Sequence, residues 1–279
     1  MKITRAEYAG ACYGVERALS LVDKAADGPT PVHTLGPLIH NPQVVAELQE
    51  RGVEVATSVD EVASGTLVLR SHGVAPQVVE AARAKGLVIV DATCPHVSKA
   101  QQAARELREQ GSTVFVVGER GHPEVEAISS WAGEGTLVVQ EPGDLPPLDG
   151  LQPERIGVVV QTTQSPGALA AIVAALEARG IQPEVRDTIC FATRQRQEAA
   201  IKLAREVEVM IVVGGRNSGN TTRLAELCRT VCPCTWHIES SVELRAEWFA
   251  GVEKVGVSAG ASTPEAQIVE VEQALANVG

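Results

Sequence analysis

Aromatic residues make up only 3% of this 279-residue chain, so its cores must be packed mainly by Val, Ile, Leu and Ala. No apolar run approaches the roughly 20 residues that a membrane helix needs, which argues against a helical membrane span. The opening segment, MKITRAEYAGAC, has no apolar stretch after its basic residues, and this argues against a secretory signal. Net positive charge is also missing. A formal charge of −11 disfavours a general nucleic-acid or anionic-membrane binder, although backbone N–H groups can still hold a local anion. The phosphate-loop lysine motif is absent, so a nucleotide triphosphatase is not expected. These absences point to a cytoplasmic protein. In that compartment six cysteines read as metal ligands or reactive thiols rather than as a disulfide framework.

What is present is alternation. Short Val/Ile-rich runs (TLVLRSHG, GLVIVDATC, STVFVVGERG, IGVVVQTT, VEVMIVVGG, KVGVSAG) suit strands buried on both faces. Between them lie amphipathic stretches closed by Gly, such as SKAQQAARELREQG and GALAAIVAALEARG. The expected class is α/β with mostly parallel sheets. EPGDLPPLDG (141–150) is the one Pro/Gly-rich loop.

The alternation also repeats. Cys12 in GAC, Cys94 in DATC and Cys190 in DTIC each stand at a strand-to-helix junction. Twenty-eight residues after each cysteine comes a polar strand-end residue: His40, His122 and Ser218. A further polar strand end follows in each segment, at His72, at Thr162 and Thr163, and at Ser262. Three α/β units are therefore expected, over 11–93, 94–189 and 190–279, joined by an N-terminal strand in 1–10. Arranged as a trefoil about a pseudo-threefold axis, they would turn their strand ends to one cavity, where ligands of parallel sheets collect.

A single cytosolic cysteine is most often a small buried hydrophobe, but three of them at equivalent junctions behave as ligands. Helix N-termini favour the thiolate form. Three thiolates could hold zinc with an open position, or a cubane iron–sulfur cluster with one open iron; ligation by cysteine alone suits the cluster better. The second polar set, His40, His72, His122, Thr162, Thr163, Ser218, Asn220 and Ser262, lies in strand–turn–helix segments of the kind that cradle phosphate. GGRNSGNTTR is the richest such turn, with Arg216 and Arg223 as sources of charge. Glu124 is the candidate proton relay, with Glu126 as its competitor on the helix surface. Cys228, Cys232 and Cys234, with His237, do not have a usual zinc spacing and read mainly as core residues.

At these same motifs the chain resembles the 4-hydroxy-3-methylbut-2-enyl diphosphate reductases, the LytB-type family. The words that carry the resemblance are GACYGVERAL, GPLIHNPQVV, RSHGV, DATCP, GERGHPEVEA, QTTQS, DTICFATRQRQ, GGRNSGNTTRL, HIES and SAGASTP, spread through nearly the whole chain. Ala11 stands where the family often has Phe, and Gly219 where some members have Ser. The resemblance implies a trefoil around a [4Fe–4S] cluster on Cys12, Cys94 and Cys190. It places His40, His72, Ser218, Gly219, Asn220 and Ser262 on the diphosphate, with His122 nearby. Thr162 and Thr163 fall at a substrate contact, and Glu124 takes the proton-donor place. The implied reaction is a two-electron reductive dehydroxylation giving isopentenyl and dimethylallyl diphosphate, with electrons from ferredoxin or flavodoxin. Because such carriers are usually acidic, an acidic enzyme needs a local basic patch to receive them. A dehydratase using the same cluster as a Lewis acid, or a non-catalytic phosphate-metabolite sensor, would share most of these motifs.

Overall fold

The computed structural model of the protein describes residues 1–147 and 155–278; the end of the EPGDLPPLDG loop, 148–150, lies outside the described residues. The chain opens with strand β1 (Lys2–Arg5) and helix α1 (Tyr13–Ala26). Then come β2 (Val32–Leu35), α2 (Pro42–Glu50), β3 (Val53–Ala56), β4 (Thr66–Leu69), α3 (Pro76–Ala84) and β5 (Val88–Asp91). The middle of the chain supplies α4 (Pro95–Glu109), β6 (Thr113–Val117), α5 (Pro123–Ala132), β7 (Leu137–Val139), β8 (Ile156–Val160), α6 (Pro166–Glu177) and β9 (Glu184–Arg186). The last part holds α7 (Phe191–Ala204), β10 (Val209–Val213), α8 (Gly219–Arg229), β11 (Thr235–Ile238), β12 (Lys254–Ala259) and α9 (Glu265–Val278).

Among the described residues these strands form three four-stranded sheets with one topology: β3-β2-β4-β5, β7-β6-β8-β9 and β11-β10-β12-β1. Every pairing is parallel. The third sheet is completed by β1, with Lys2 opposite Lys254 and Arg5 opposite Val257. Each cysteine of the repeat therefore follows the fourth strand of a sheet (β1, β5 or β9) and directly precedes a helix (α1, α4 or α7).

The chain gathers into two compact units. One comprises Met1–Val15, His40–Val44 and Phe191–Gly279; the other comprises Glu16–Ile39 and Val45–Cys190. The first unit contains the β11-β10-β12-β1 sheet, with Ile268, Val271 and Leu275 of α9 on one face against Ile211, Val213 and Val257. On its other face Ala200, Leu203, Leu224 and Ala225 meet Met210 and Val212. The second unit contains the other two sheets. In the β7-β6-β8-β9 sheet, Phe115, Val117, Val158 and Val160 face Leu169, Ile172 and Leu176 of α6. Val114, Val116 and Val159, on the opposite face, meet Ala100, Ala104, Leu107 and Ile128 of α4 and α5. Burial on both faces is why these strands are continuous apolar runs rather than alternating ones. Each such Val, Leu or Ile contributes roughly 1.5–3 kcal/mol. Gly157 interrupts its strand because Leu107 lies over it: a Cβ there would stand 2.8 Å from the Leu107 side chain. No helix among the described residues is long and apolar enough to cross a membrane.

Candidate active site

The repeat inferred from the cysteines has a backbone counterpart. The Cys94 N–H donates to Ser71 O at 2.9 Å, the Cys190 N–H to Thr162 O at 3.0 Å, and the Cys12 N–H to Ala261 O at 3.1 Å. Ser71 precedes His72, Thr162 precedes Thr163 and Ala261 precedes Ser262, so each cysteine is pinned to the polar end of the third strand of its sheet. All three are partly exposed. Cys228 and Cys232 are instead buried in the apolar cluster with Leu203, Met210 and Leu224, and burial pushes the Cys228 thiol up to about 12. His237 bonds Gly214 O through Nε2 at 2.8 Å. Cys228 and Cys232 form core, as expected, but Cys234, expected to be buried with them, is exposed, because it lies past the end of α8 in the turn before β11.

In the first unit the donors of the phosphate-type turns come together. Ser218 caps α8, its Oγ accepting from the Thr221 N–H at 3.3 Å, and Gly219 opens that helix. The turn is tight at Gly214, whose φ of +142° suits glycine and where a Cβ would meet the Thr263 and Thr221 hydroxyls. The Ser262 Oγ donates to His40 O at 3.1 Å. Asn220 is buried, and neither atom of its amide has a hydrogen-bond partner among the described residues. An orphaned amide at a helix N-terminus fits an anionic ligand whose oxygens would accept from Nδ2. Arg216 is not turned to that ligand; it pairs with Glu239 and Glu243. Arg223 pairs with Glu226.

In the second unit the candidate acid–base residues meet. His122 caps α5, its Nδ1 accepting from the Glu124 N–H at 3.1 Å, which leaves Nε2 to carry the hydrogen of a neutral ring. The His72 and His122 rings meet edge to face, centroids 5.6 Å apart. Glu124 is 2% exposed. Its carboxyl receives the Thr162 N–H at 2.6 Å and the Thr162 hydroxyl at 3.0 Å. Burial outweighs these two donors and raises the carboxyl to about 7, with a smaller push from Glu119. Glu126 is exposed on the α5 surface, as expected of a helix-surface acid.

A stability prediction follows. The folded-state value lies above the ordinary 4.5, so the stability this group contributes is complete below pH 4.5 and is lost as pH rises through about 7. The loss amounts to roughly 3 kcal/mol at 1.36 kcal/mol per pH unit. Chemical unfolding of wild type and Glu124→Gln between about pH 5 and about pH 8 should show this slope in wild type and its removal in the variant. Parallel slopes would refute the assignment.

Four supporting residues were not singled out as site residues, although each stands inside one of the words that carry the resemblance. Asn41 caps α2 through Oδ1 and donates from Nδ2 to Ser262 O and Gln267 Oε1, both at 3.0 Å. The Asn-Pro pair before a helix was its signal. Ser71 donates from Oγ to Leu38 O. Gln161 accepts the Glu119 N–H and is buried, its Nε2 without a partner among the described residues. Arg196 is buried on α7 and donates to Gly10 O, Ala11 O and Ala192 O.

A relative from Geobacter sp. (strain M21), named 4-hydroxy-3-methylbut-2-enyl diphosphate reductase, is 48% identical over 97% of this chain and 95% of its own. One from Trichlorobacter lovleyi, of the same name, is 46% identical over 100% and 99%. A solved structure of (E)-4-hydroxy-3-methyl-but-2-enyl diphosphate reductase, described as the terminal enzyme of the non-mevalonate pathway, superposes with a TM-score of 0.71. It is 41% identical and covers 99% of both chains. The Plasmodium falciparum reductase structure superposes with a TM-score of 0.89 at 27% identity, covering 99% of this chain and 87% of that one. The LytB protein family is matched over residues 3–276, and the chain belongs to that family.

Proposed function

We propose that this protein is a cytoplasmic 4-hydroxy-3-methylbut-2-enyl diphosphate reductase that carries a [4Fe–4S] cluster on Cys12, Cys94 and Cys190. The observation that carries the reading is the threefold recurrence just described: a partly exposed cysteine before a helix, its N–H tied to a polar strand end. The donor set fits the group, since three thiols placed at helix N-termini suit an anionic cluster. When bound, the cluster supplies single electrons and a Lewis-acid iron for the substrate hydroxyl.

The chain's own residues do the rest. The Ser218 hydroxyl, the Gly219 N–H, the Asn220 amide, the Ser262 hydroxyl and the His40 and His72 rings hold the diphosphate. Glu124, protonated near neutral pH, delivers a proton toward the departing oxygen. The Thr162 N–H and hydroxyl fix its carboxyl, and His122 and Thr163 line the same substrate. One C–O bond breaks, water leaves, and two electrons and two protons are consumed in forming isopentenyl or dimethylallyl diphosphate. Reduced ferredoxin or flavodoxin supplies the electrons.

Anaerobic turnover of the diphosphate with a reduced donor tests the reading. Product formation is expected; its absence in protein with a full complement of iron and sulfide would overturn it. Alanine at Asn220, Ser218 or Ser262 should raise KM for the diphosphate with cluster content unchanged. Each lost charge-assisted contact corresponds to about 1.5–3 kcal/mol, or roughly 10–100-fold. Binding of the dephosphorylated alcohol as tight as that of the diphosphate would contradict the phosphate assignment.

A further inference from the structure

We infer, resting on the cluster reading above, that Arg196 and Arg17 are positioning residues that lock the backbone of two of its ligands, Arg196 at Cys12 and Arg17 at Cys94. Each acts inside one compact unit: Arg196 and Cys12 belong to the first, Arg17 and Cys94 to the second.

The peptide that joins Ala11 to Cys12 is held at both ends. Its carbonyl accepts from Arg196 Nη2 at 3.0 Å, and its N–H, that of Cys12, donates to Ala261 O at 3.1 Å. The peptide that joins Thr93 to Cys94 is held in the same way. Thr93 O accepts from Arg17 Nη1 at 3.1 Å, and the Cys94 N–H donates to Ser71 O at 2.9 Å. A peptide unit is planar, so tying its oxygen and its hydrogen to opposite neighbours stops the plane from turning. Tyr13 and Pro95 begin helices directly afterwards, which sets the other side of each cysteine. The freedom left to each sulfur is chiefly rotation about Cα–Cβ. Groups that orient ligands in this manner are worth roughly 10–100-fold in metal affinity.

The two arginines are not equally needed. Asp91, three residues before Cys94, accepts the Thr93 N–H through Oδ1 at 2.9 Å, and Asp187, three before Cys190, accepts the Ile189 N–H at 3.2 Å. Such Asx turns hold the approach to a cysteine locally. Three residues before Cys12 stands Ala9, whose side chain has no acceptor. Arg196 supplies the hold from α7 instead. Its Nε and Nη2 reach Gly10 O at 2.9 and 2.7 Å beside the bond to Ala11 O, and Nη1 reaches Ala192 O at 3.0 Å. Arg196 is only 7% exposed, and its planar fork serves three carbonyls at once, which the point charge of a lysine does not reproduce. Arg17 is partly exposed, and its second bond, to Asp91 O, is 3.3 Å long.

Hydrogen exchange, read by mass spectrometry in the full chain prepared anaerobically, compares wild type with Arg196→Met, Arg196→Lys and Arg17→Met. Arg196→Met should speed exchange over residues 10–12 by roughly 10–100-fold, the size expected for lost bonds from a charged donor, and leave 92–94 as in wild type. Arg17→Met should do the reverse by a smaller factor, because Asp91 still holds its turn. Arg196→Lys, which keeps the charge without the fork, should exchange as Arg196→Met does. Release of iron to a chelator should be faster in both Met variants, and more so for Arg196→Met. Unchanged exchange in Arg196→Met, a wild-type rate in Arg196→Lys, or equal acceleration in both segments and in strands β6 and β10 would overturn the positioning role. Faster exchange with wild-type iron release would overturn its service to the cluster. Wild type that holds no iron would count against the cluster reading, while exchange in the two segments would still judge the two arginines.

Discussion

Glu124→Gln is expected to lower the turnover rate by roughly 10²–10⁴-fold, the range for loss of a general acid, while leaving cluster content and substrate affinity near wild type. The amide keeps the size of the side chain and can still accept the Thr162 N–H that now reaches Oε1 at 2.6 Å. It cannot carry a proton to the leaving oxygen. Burial has already brought the wild-type carboxyl to about 7, close to the pH at which it would act. A donor must be protonated, so the wild-type rate should fall as pH rises through about 7, and the residual rate of the Gln variant should lack that limb. Glu126→Gln is the control: this residue lies exposed on α5 and should change the rate little. A near-normal rate in the Glu124 variant, or an equal loss at Glu126, would move the acid to His122 or Thr162.

Replacing any one of Cys12, Cys94 and Cys190 by Ser should abolish turnover and strip or destabilise the cluster. Anaerobically prepared wild type should carry about four irons and four sulfides per chain. Cys228→Ser and Cys232→Ser should keep the metal and sulfide content; at Cys228 the hydroxyl falls among apolar neighbours at a cost of about 1–3 kcal/mol in stability, whereas at Cys232 the Glu208 carbonyl, 3.6 Å from the sulfur, is an acceptor for it. Cys234, exposed, should tolerate Ser in both respects. The contrast within one chain separates ligation from packing. Stoichiometric zinc with no visible absorbance in wild type would overturn the cluster outright.

What was legible beforehand follows from what each residue touches. Strands β4, β5, β6, β8, β10 and β12 stand in the sequence as apolar runs because most are buried on both faces. The edge strand β9, Glu184–Arg186, is only partly covered and carries charged residues, so no period marks it. The cysteine repeat was visible because three junctions use similar words, and the capping roles of Ser218 and His122 follow from their places ahead of helices. Each cysteine follows the fourth strand of one sheet and opens the helix that leads into the next. Arg196 gave no local signal, since its partners Gly10 and Ala11 lie 186 and 185 positions away. The pairing of Thr162 with Glu124, 38 positions apart, likewise needs the fold to bring two strand ends together.

The closing of the third sheet by β1 has a consequence for how the protein is made. Lys2 pairs with Lys254, 252 positions further along, and the Cys12 N–H waits for Ala261. At roughly 5–20 residues per second on the ribosome, the first strand is exposed for something like 10–50 seconds before its neighbour β12 exists. During that interval the two sheets of the middle region, whose strands pair locally, can already form. The earliest cysteine to be synthesised is therefore the last to reach its place, and any group that all three were to hold would have to wait for β12. A ribosome-bound chain stalled before β12 should present Cys94 and Cys190 in folded surroundings while Cys12 remains open to thiol-labelling reagents.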